Sequence, residues 1–135
     1  MAAVVDGMLT APTTHPVGAT LGDARAFFAD SHKHLMLLVE DGVLRGTLVR
    51  DDIPGDAPDE AAALGYAVLR GRTVMPAADL SVARGHLVEG SRRRLAVVDA
   101  EGRLLGLLCL KKHQRGFCSD DDVAQRIAEA GRVLT

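Results

Sequence analysis

The sequence predicts an α/β protein built from two copies of one supersecondary unit. Residues 35–49, LMLLVEDGVLRGTLV, return at residues 95–109 as LAVVDAEGRLLGLLC, with a constant offset of 60. Short apolar runs flanked by helical patterns indicate strands covered by helices. One copy is too small to bury its own apolar face, so we expect the copies to pack on each other and the functional surface to lie between them. The identical pairs are Leu35/Leu95, Gly42/Gly102, Leu44/Leu104, Gly46/Gly106 and Leu48/Leu108.

The first copy is predicted to run strand, helix, strand, strand, helix. Pro16 disfavours helix at the residue before it. Thr20 is a helix N-cap with Asp23 in the first turn, where the helix dipole favours an acid. Asp41-Gly42 is a strong hairpin signal. The predicted elements are an extended segment at 15–17, a helix with Leu21, Ala24, Phe27 and Phe28 on its apolar face, strands at 35–39 and 43–49, and a helix at about 61–69.

The second copy repeats that order. Asp79 caps its first helix, and Glu101-Gly102 forms its hairpin turn. Gly46 and Gly106 lie inside strands, where glycine weakens pairing, so each marks a bulge or a close approach of backbone or ligand. The predicted elements are an extended segment at 73–76, a helix with Leu80, Ala83, Leu87 and Val88 on its apolar face, strands at 95–98 and 104–110, and a final helix after Ser119 with Val123, Ile127 and Ala130 on its apolar face.

Composition excludes several classes of function. A chain of 135 residues is one domain's worth, and a net charge of -2 gives no bulk attraction to nucleic acid or an anionic membrane. No apolar run approaches the roughly 20 residues of a membrane span, and the N-terminus lacks the cationic start of a secretory signal. Two cysteines are too few for a disulfide framework, which predicts a reducing, cytoplasmic location.

The duplicated β-α-β-β-α order, with its "Leu-x-Val-Val-Asp-x-x-Gly-x-Leu-x-Gly" core, resembles the CBS domain pair, or Bateman module. The resemblance extends from about Met8 to Ala130, and residues 116–123 are similar to the tails of small stand-alone actinobacterial members. It implies one CBS-pair domain over 1–135, with repeats at 8–64 and 65–135. It also implies a homodimer, and an adenosyl ligand (AMP, ADP, ATP or S-adenosylmethionine) held between the repeats as a regulatory ligand.

The family's ligand signature ends the third strand of each repeat with glycine, two apolar residues, threonine or serine, two variable residues and aspartate. The hydroxyl can donate to a phosphate, and the aspartate can accept from both ribose hydroxyls. Here the first repeat keeps Asp52 but has Val49 in the hydroxyl position, whereas the second has Cys109 and Lys112. The resemblance implies a ligand site at Asp52 and Val49, with Thr14, His15 and Pro16 against base or sugar and Arg94 facing phosphate.

Other interpretations of these residues stay open. Asp52 is also suited to cap the segment after the strand. Residues 92–94, three arginines, and residues 32–34, His-Lys-His, precede equivalent strands and are either phosphate contacts or solvated loops. Cys109, with His113 and Cys118, lacks the spacing of a standard zinc site, so no metal is expected.

Two functions follow from the sequence as expectations. The first is a stand-alone regulatory module without enzymatic activity, because no Ser/His/Asp set or P-loop pattern is present. Its output would pass to an unknown effector protein. The alternative is a ligand-independent dimeric scaffold whose nucleotide sites have decayed. Nucleic-acid binding rests on the arginine triplet alone and is opposed by the acidic balance and the scarcity of aromatic residues.

Overall fold

A computed structural model describes residues 3–89 and 93–110 and contains two three-stranded sheets, one in each repeat. In both sheets a short strand pairs in parallel with the central strand, which pairs antiparallel with the third. The predicted α/β class is confirmed, and so is the duplicated order of strand, helix, strand and strand. The elements are α1 (Val4–Gly7), β1 (His15–Pro16), α2 (Leu21–Phe28), β2 (Met36–Glu40), β3 (Val43–Leu48), β4 (Thr73–Val74), α3 (Leu80–Glu89), β5 (Arg94–Val98) and β6 (Leu104–Cys109).

The predicted caps begin both longer helices. The Thr20 hydroxyl accepts from the backbone N–H of Asp23 at 3.2 Å, and the Asp23 carboxylate accepts from the N–H of Thr20 at 2.9 Å. Asp79 accepts from the N–H of Ser81 at 2.8 Å. Each helix packs its apolar face on its own sheet, although Val88 of α3 is exposed, contrary to expectation.

The two sheets pack face to face about an approximate two-fold axis. Their hairpins exchange backbone hydrogen bonds, from Leu44 to Gly102 at 2.9 Å and from Leu104 to Gly42 at 3.0 Å. The apolar layer between the sheets is the seam of this protein. Side chains alternate along a strand, so β2 faces the helix with one set and the seam with the other, as a strand buried on both faces must. The seam contains Leu35, Leu37, Leu44 and Ala96, with Val39, Val49, Val98, Leu104 and Leu107 packed against them.

The segment that precedes each repeat pairs with the edge of the other repeat's sheet. Leu9 exchanges backbone hydrogen bonds with Leu107 of β6, at 2.7 and 3.0 Å, and Val4 is fully buried in the core of the second repeat. Val68, which precedes β4, exchanges backbone hydrogen bonds with Thr47 of β3 at 2.8 and 3.1 Å. The connecting segments therefore tie the repeats together.

The helix predicted at about 61–69 is wrong. The structure has only a 3-10 turn there, Ala63–Tyr66, and its neighbours use their backbone groups elsewhere. Ala61 accepts from the N–H of Leu21, and Ala63 donates to the carbonyl of Ala19. These tertiary hydrogen bonds, with the pairing of Val68, override the helical pattern of the apolar residues.

The two strand glycines mark both a bulge and a close approach. The register shifts beside them leave Arg45 and Leu105 as the extra residues of two equivalent bulges. A Cβ on Gly46 would lie 2.6 Å from the Cβ of Ala67. A Cβ on Gly106 would overlap the carbonyl oxygen of Leu9. Both expectations for these glycines are confirmed.

No helix within residues 3–89 or 93–110 has the length and apolar character needed to cross a membrane. The predicted final helix after Ser119, the tail-like segment at 116–123, and Lys112 lie outside the described residues.

Candidate functional site

Asp52 caps the 3-10 turn that follows β3. The turn spans Arg50–Asp52, and the N–H of Asp52 donates to the carbonyl of Val49 at 3.0 Å. In return the Asp52 carboxylate accepts from the N–H of Val49 at 2.8 Å. The capping role that the sequence left open for Asp52 is therefore present. Val49 itself is half-buried against the seam, so its side chain supplies packing where the signature has a hydroxyl.

The Asp52 carboxylate is also bound by Arg72. One terminal nitrogen of the guanidinium donates to Oδ2 at 2.5 Å and the other to Oδ1 at 3.1 Å, so both carboxylate oxygens are used. The first nitrogen also donates to the carbonyl of Thr47 at 3.3 Å. The side chains of Arg72 and Asp52 are only 7% and 16% exposed, so water screens the pair weakly. This ion pair joins the end of the first repeat's sheet to the start of the second's.

Arg72 was missed by the sequence analysis. It lies immediately before β4, the position that Thr14 holds before β1. The pairing of Val68 with Thr47 directs the linker along β3 and brings Arg72 to Asp52. Comparing the two repeats position by position shows that Arg72 stands where the first repeat has Thr14. That comparison does not show that Arg72 binds Asp52.

Thr14, His15 and Pro16 lie at the opposite edge of the sheet from Asp52. Because β2 separates β1 from β3, two strand spacings of about 4.8 Å each intervene. Thr14 and Pro16 are exposed. The His15 ring packs edge-on against Phe27 of α2 at 5.0 Å, and burial lowers the pKa of His15. The structure therefore brings neither the ring of His15 nor its neighbours into contact with the Asp52 carboxylate.

Basic side chains from both repeats converge at the end of the seam where β2 and β5 begin. We call His34, Arg50, Arg93 and Arg94 the basic cluster. Arg94 begins β5 and is only 8% exposed, so the solvated-loop interpretation is wrong for it. Its guanidinium donates to the carbonyls of His32 and Arg93, both at 3.2 Å. Arg93 contacts His34 Nε2 at 3.0 Å and donates to the carbonyl of Leu110 at 3.3 Å.

Arg50 approaches the cluster from the end of β3. One of its terminal nitrogens donates to the carbonyls of Phe28 and Asp30, at 3.0 and 2.8 Å, and the guanidinium lies over the Phe28 ring at 5.3 Å. Burial, followed by the charges of Arg94, Arg93, Arg50 and His32, lowers the pKa of His34 to about 4. His34 is consequently neutral at pH 7, and its ring nitrogen can accept from Arg93. The cluster presents concentrated positive charge.

Two further features concern an acidic side chain beside the basic cluster and a cysteine of the second repeat. The Asp30 carboxylate lies 3.2 Å from the His32 ring at the exposed rim of the cluster. Cys109 is buried. Within the described ranges, no three His, Cys, Asp or Glu side chains are grouped as metal ligands; His113 and Cys118 lie outside them.

No protein-family profile and no curated protein sequence matches the chain. Solved structures do match. CBS domain protein PAE2072 from Pyrobaculum aerophilum, complexed with AMP, has a TM-score of 0.67 at 19% identity, over 80% of this chain and 87% of that one.

Two further structures are similar over more of the chain. The CBS domain pair of protein MJ0100, in complex with 5′-methylthioadenosine and S-adenosyl-L-methionine, has a TM-score of 0.64 at 14% identity, over 96% of this chain and 98% of that one. Hypoxic Response Protein I, with two coordinated zinc ions, has a TM-score of 0.64 at 21% identity, over 92% of this chain and 98% of that one. The predicted resemblance is thereby confirmed at the level of structure: this chain has the fold of a tandem CBS domain pair.

Proposed function

We propose that the chain is a regulatory module that binds an adenosyl ligand at the seam and signals its presence to a partner protein. The observation that carries this proposal is the basic cluster, because its members come from both repeats. Arg50 and His34 belong to the first repeat, and Arg93 and Arg94 to the second. A ligand that contacts all of them binds best to one relative arrangement of the repeats and stabilises it.

The charge of the cluster favours AMP, ADP or ATP over S-adenosylmethionine. Guanidinium groups bind phosphate oxygens through paired, charge-assisted hydrogen bonds. S-adenosylmethionine carries a sulfonium cation and, in place of phosphates, a single carboxylate, so it gains less from three arginines than a nucleotide does. Two similar structures hold adenosyl compounds, AMP in one and S-adenosyl-L-methionine with 5′-methylthioadenosine in the other. Their contents support the compound class, while the cluster favours its phosphorylated members.

Isothermal titration of the full chain with AMP, ADP, ATP and S-adenosylmethionine tests this function. We expect affinity to rise with the number of phosphates and S-adenosylmethionine to bind most weakly. Raising the salt concentration should weaken binding of the nucleotides, because it screens exposed charges. If none of the four ligands binds to protein whose folding has been verified by circular dichroism, the ligand-independent scaffold replaces this proposal.

The scaffold has one observation in its favour. The carboxylate that the family signature assigns to ribose is already bound by Arg72 on both oxygens. A chain that had lost ligand binding would retain such an ion pair for stability alone. The titration above separates the two functions, since a scaffold binds none of the four compounds.

Under either function we expect a homodimer. Several large apolar side chains on or beside the helices are exposed, among them Val5 of α1, Met75, and Val82 of α3, which is 58% exposed. Apolar surface of this kind is typically covered by a second copy about a two-fold axis. Sedimentation velocity at micromolar concentration should report a dimer, and Val82→Glu should shift the population toward monomer. A monomer in the unmodified chain would refute the dimer, whereas a dimer that tolerates Val82→Glu would move the interface away from α3.

A further inference from the structure

Resting on the proposed function, we propose that the seam site recognises its ligand through a polyphosphate group and does not read the ribose hydroxyls. The ligand class is then a nucleoside triphosphate or another compact polyphosphate whose sugar is not distinguished. Two independent observations lead to this conclusion. One is the occupied carboxylate of Asp52, and the other is the set of unused donors in the basic cluster.

The ribose acceptor is engaged within the protein. For Asp52 to accept from two ribose hydroxyls, its carboxylate must release Arg72, whose side chain is 7% exposed. A buried guanidinium would then lose its charged partner, and the Nε of Arg72 already has no hydrogen-bond partner. Two neutral hydroxyls return weaker hydrogen bonds than the charged, two-point interaction that they replace. Ribose recognition at Asp52 is therefore unfavourable in this chain.

The basic cluster, by contrast, has donors to offer. Arg50 uses one terminal nitrogen for its two carbonyl bonds, and Arg93 uses Nε and one terminal nitrogen. The other N–H groups of these two arginines make no hydrogen bond to residues in the described ranges. None of the ion pairs among those residues includes Arg50 or Arg93. The guanidinium groups of Arg50 and Arg93 thus come from different repeats, both act on His34, and neither is paired with a carboxylate within those ranges.

A polyphosphate fits this arrangement better than a single carboxylate or phosphate. The N–H groups that each guanidinium still has can donate to a phosphate oxygen, and a triphosphate offers several charged oxygens along a short chain. Groups on two different repeats are bridged most readily by a ligand with more than one anionic centre. Base and sugar then extend from a site whose affinity is set by the phosphates.

Matched ligands separate the phosphate and ribose contributions. Calorimetry of the full chain, without divalent cations, should compare ATP, 2′,3′-dideoxy-ATP, inorganic triphosphate and adenosine. We expect dideoxy-ATP to bind within about threefold of ATP, inorganic triphosphate within about tenfold, and adenosine not to bind measurably. If ATP binds but dideoxy-ATP is weakened by more than about tenfold, the ribose is read and the inference fails while the proposed function stands. If ATP and the other compounds all fail to bind, the inference fails, and the proposed function fails with it when AMP, ADP and S-adenosylmethionine do not bind either.

Matched variants locate the site. Arg93→Gln should weaken ATP, dideoxy-ATP and inorganic triphosphate alike, by about tenfold or more, because each loses the same charged contact. Arg103→Gln is the control, since Arg103 is an exposed arginine at the hairpin end of the seam. If Arg93→Gln lowers the melting temperature, Arg50→Gln replaces it, as Arg50 is exposed. Unchanged affinity for triphosphate in a folded variant of either arginine would overturn the assignment.

Discussion

Replacing Asp52 with alanine should lower the free energy of unfolding by about 3 kcal/mol. The substitution removes the carboxylate that holds Arg72, leaving a guanidinium that is only 7% exposed without a counter-charge. It also removes the acceptor for the N–H of Val49, and hence the cap of the turn after β3. The loss is larger than for a typical substitution because a buried charge is stranded, not only a hydrogen bond broken. Urea unfolding, followed by circular dichroism, measures it.

Neighbouring variants separate this effect from a general loss of charge. Asp51 lies in the same 3-10 turn but is exposed, so Asp51→Ala should change stability by no more than about 0.5 kcal/mol. Asp52→Asn keeps one side-chain oxygen as an acceptor, so its free energy of unfolding should lie between those of Asp51→Ala and Asp52→Ala. Equal stabilities of Asp51→Ala and Asp52→Ala would mean that the Arg72 ion pair contributes nothing. Any change in ligand affinity for Asp52→Ala must therefore be measured on protein that is still folded.

The repeat made most of the fold predictable. Equivalent residues of the two copies make equivalent contacts across the approximate two-fold axis. The backbone N–H of Leu44 donates to Gly102, and that of Leu104 donates to Gly42. Thr20 and Asp79 predicted the helix starts because their capping interactions are local in sequence. An element predicted from a local signal of this kind forms in the folded protein unless tertiary contacts favour another conformation.

The linker between the repeats shows where tertiary contacts do favour another conformation. Its apolar residues have helical spacing, yet Val68 pairs with Thr47 and Ala63 bonds to Ala19, which are distant in sequence. The path of the linker then determines the partner of Asp52. A sequence pattern identifies Asp52 as a candidate acceptor, but its occupation by Arg72 depends on that path and could not be predicted.

The basic cluster was predicted in part. Arg93, Arg94 and His34 belong to the basic runs at 92–94 and 32–34, which the sequence places at equivalent positions where the two central strands begin. Arg50 was not predicted, since it occupies a variable position of the family signature and its equivalent in the second repeat is Leu110. The approximate two-fold symmetry predicts pairs of equivalent residues, and a residue that breaks the symmetry, such as Arg50, is found only in the structure.

Replacing Gly106 with valine should lower the free energy of unfolding by about 3 kcal/mol, a large value for an overpacking substitution. A Cβ at this position would overlap the carbonyl oxygen of Leu9 and lie 2.7 Å from the sulfur of Met8. The backbone of Leu9 cannot move away without breaking its two hydrogen bonds to Leu107. The N-terminal segment, with the buried Val4, is then displaced from the second repeat. Thermal unfolding measures the loss, and hydrogen exchange should show early opening at residues 4–9.

Alanine variants provide the sharpest comparison, because they add only the Cβ. Gly106→Ala should already lower the melting temperature. Gly85, in α3 of the same repeat, has no atom within 4 Å of the Cβ position, so Gly85→Ala should raise stability by up to about 1 kcal/mol through helix propensity. The two substitutions make the same chemical change and differ in what the new methyl group meets. If both shift the melting temperature in the same direction, the close approach of the N-terminal segment to β6 is not what requires glycine at position 106.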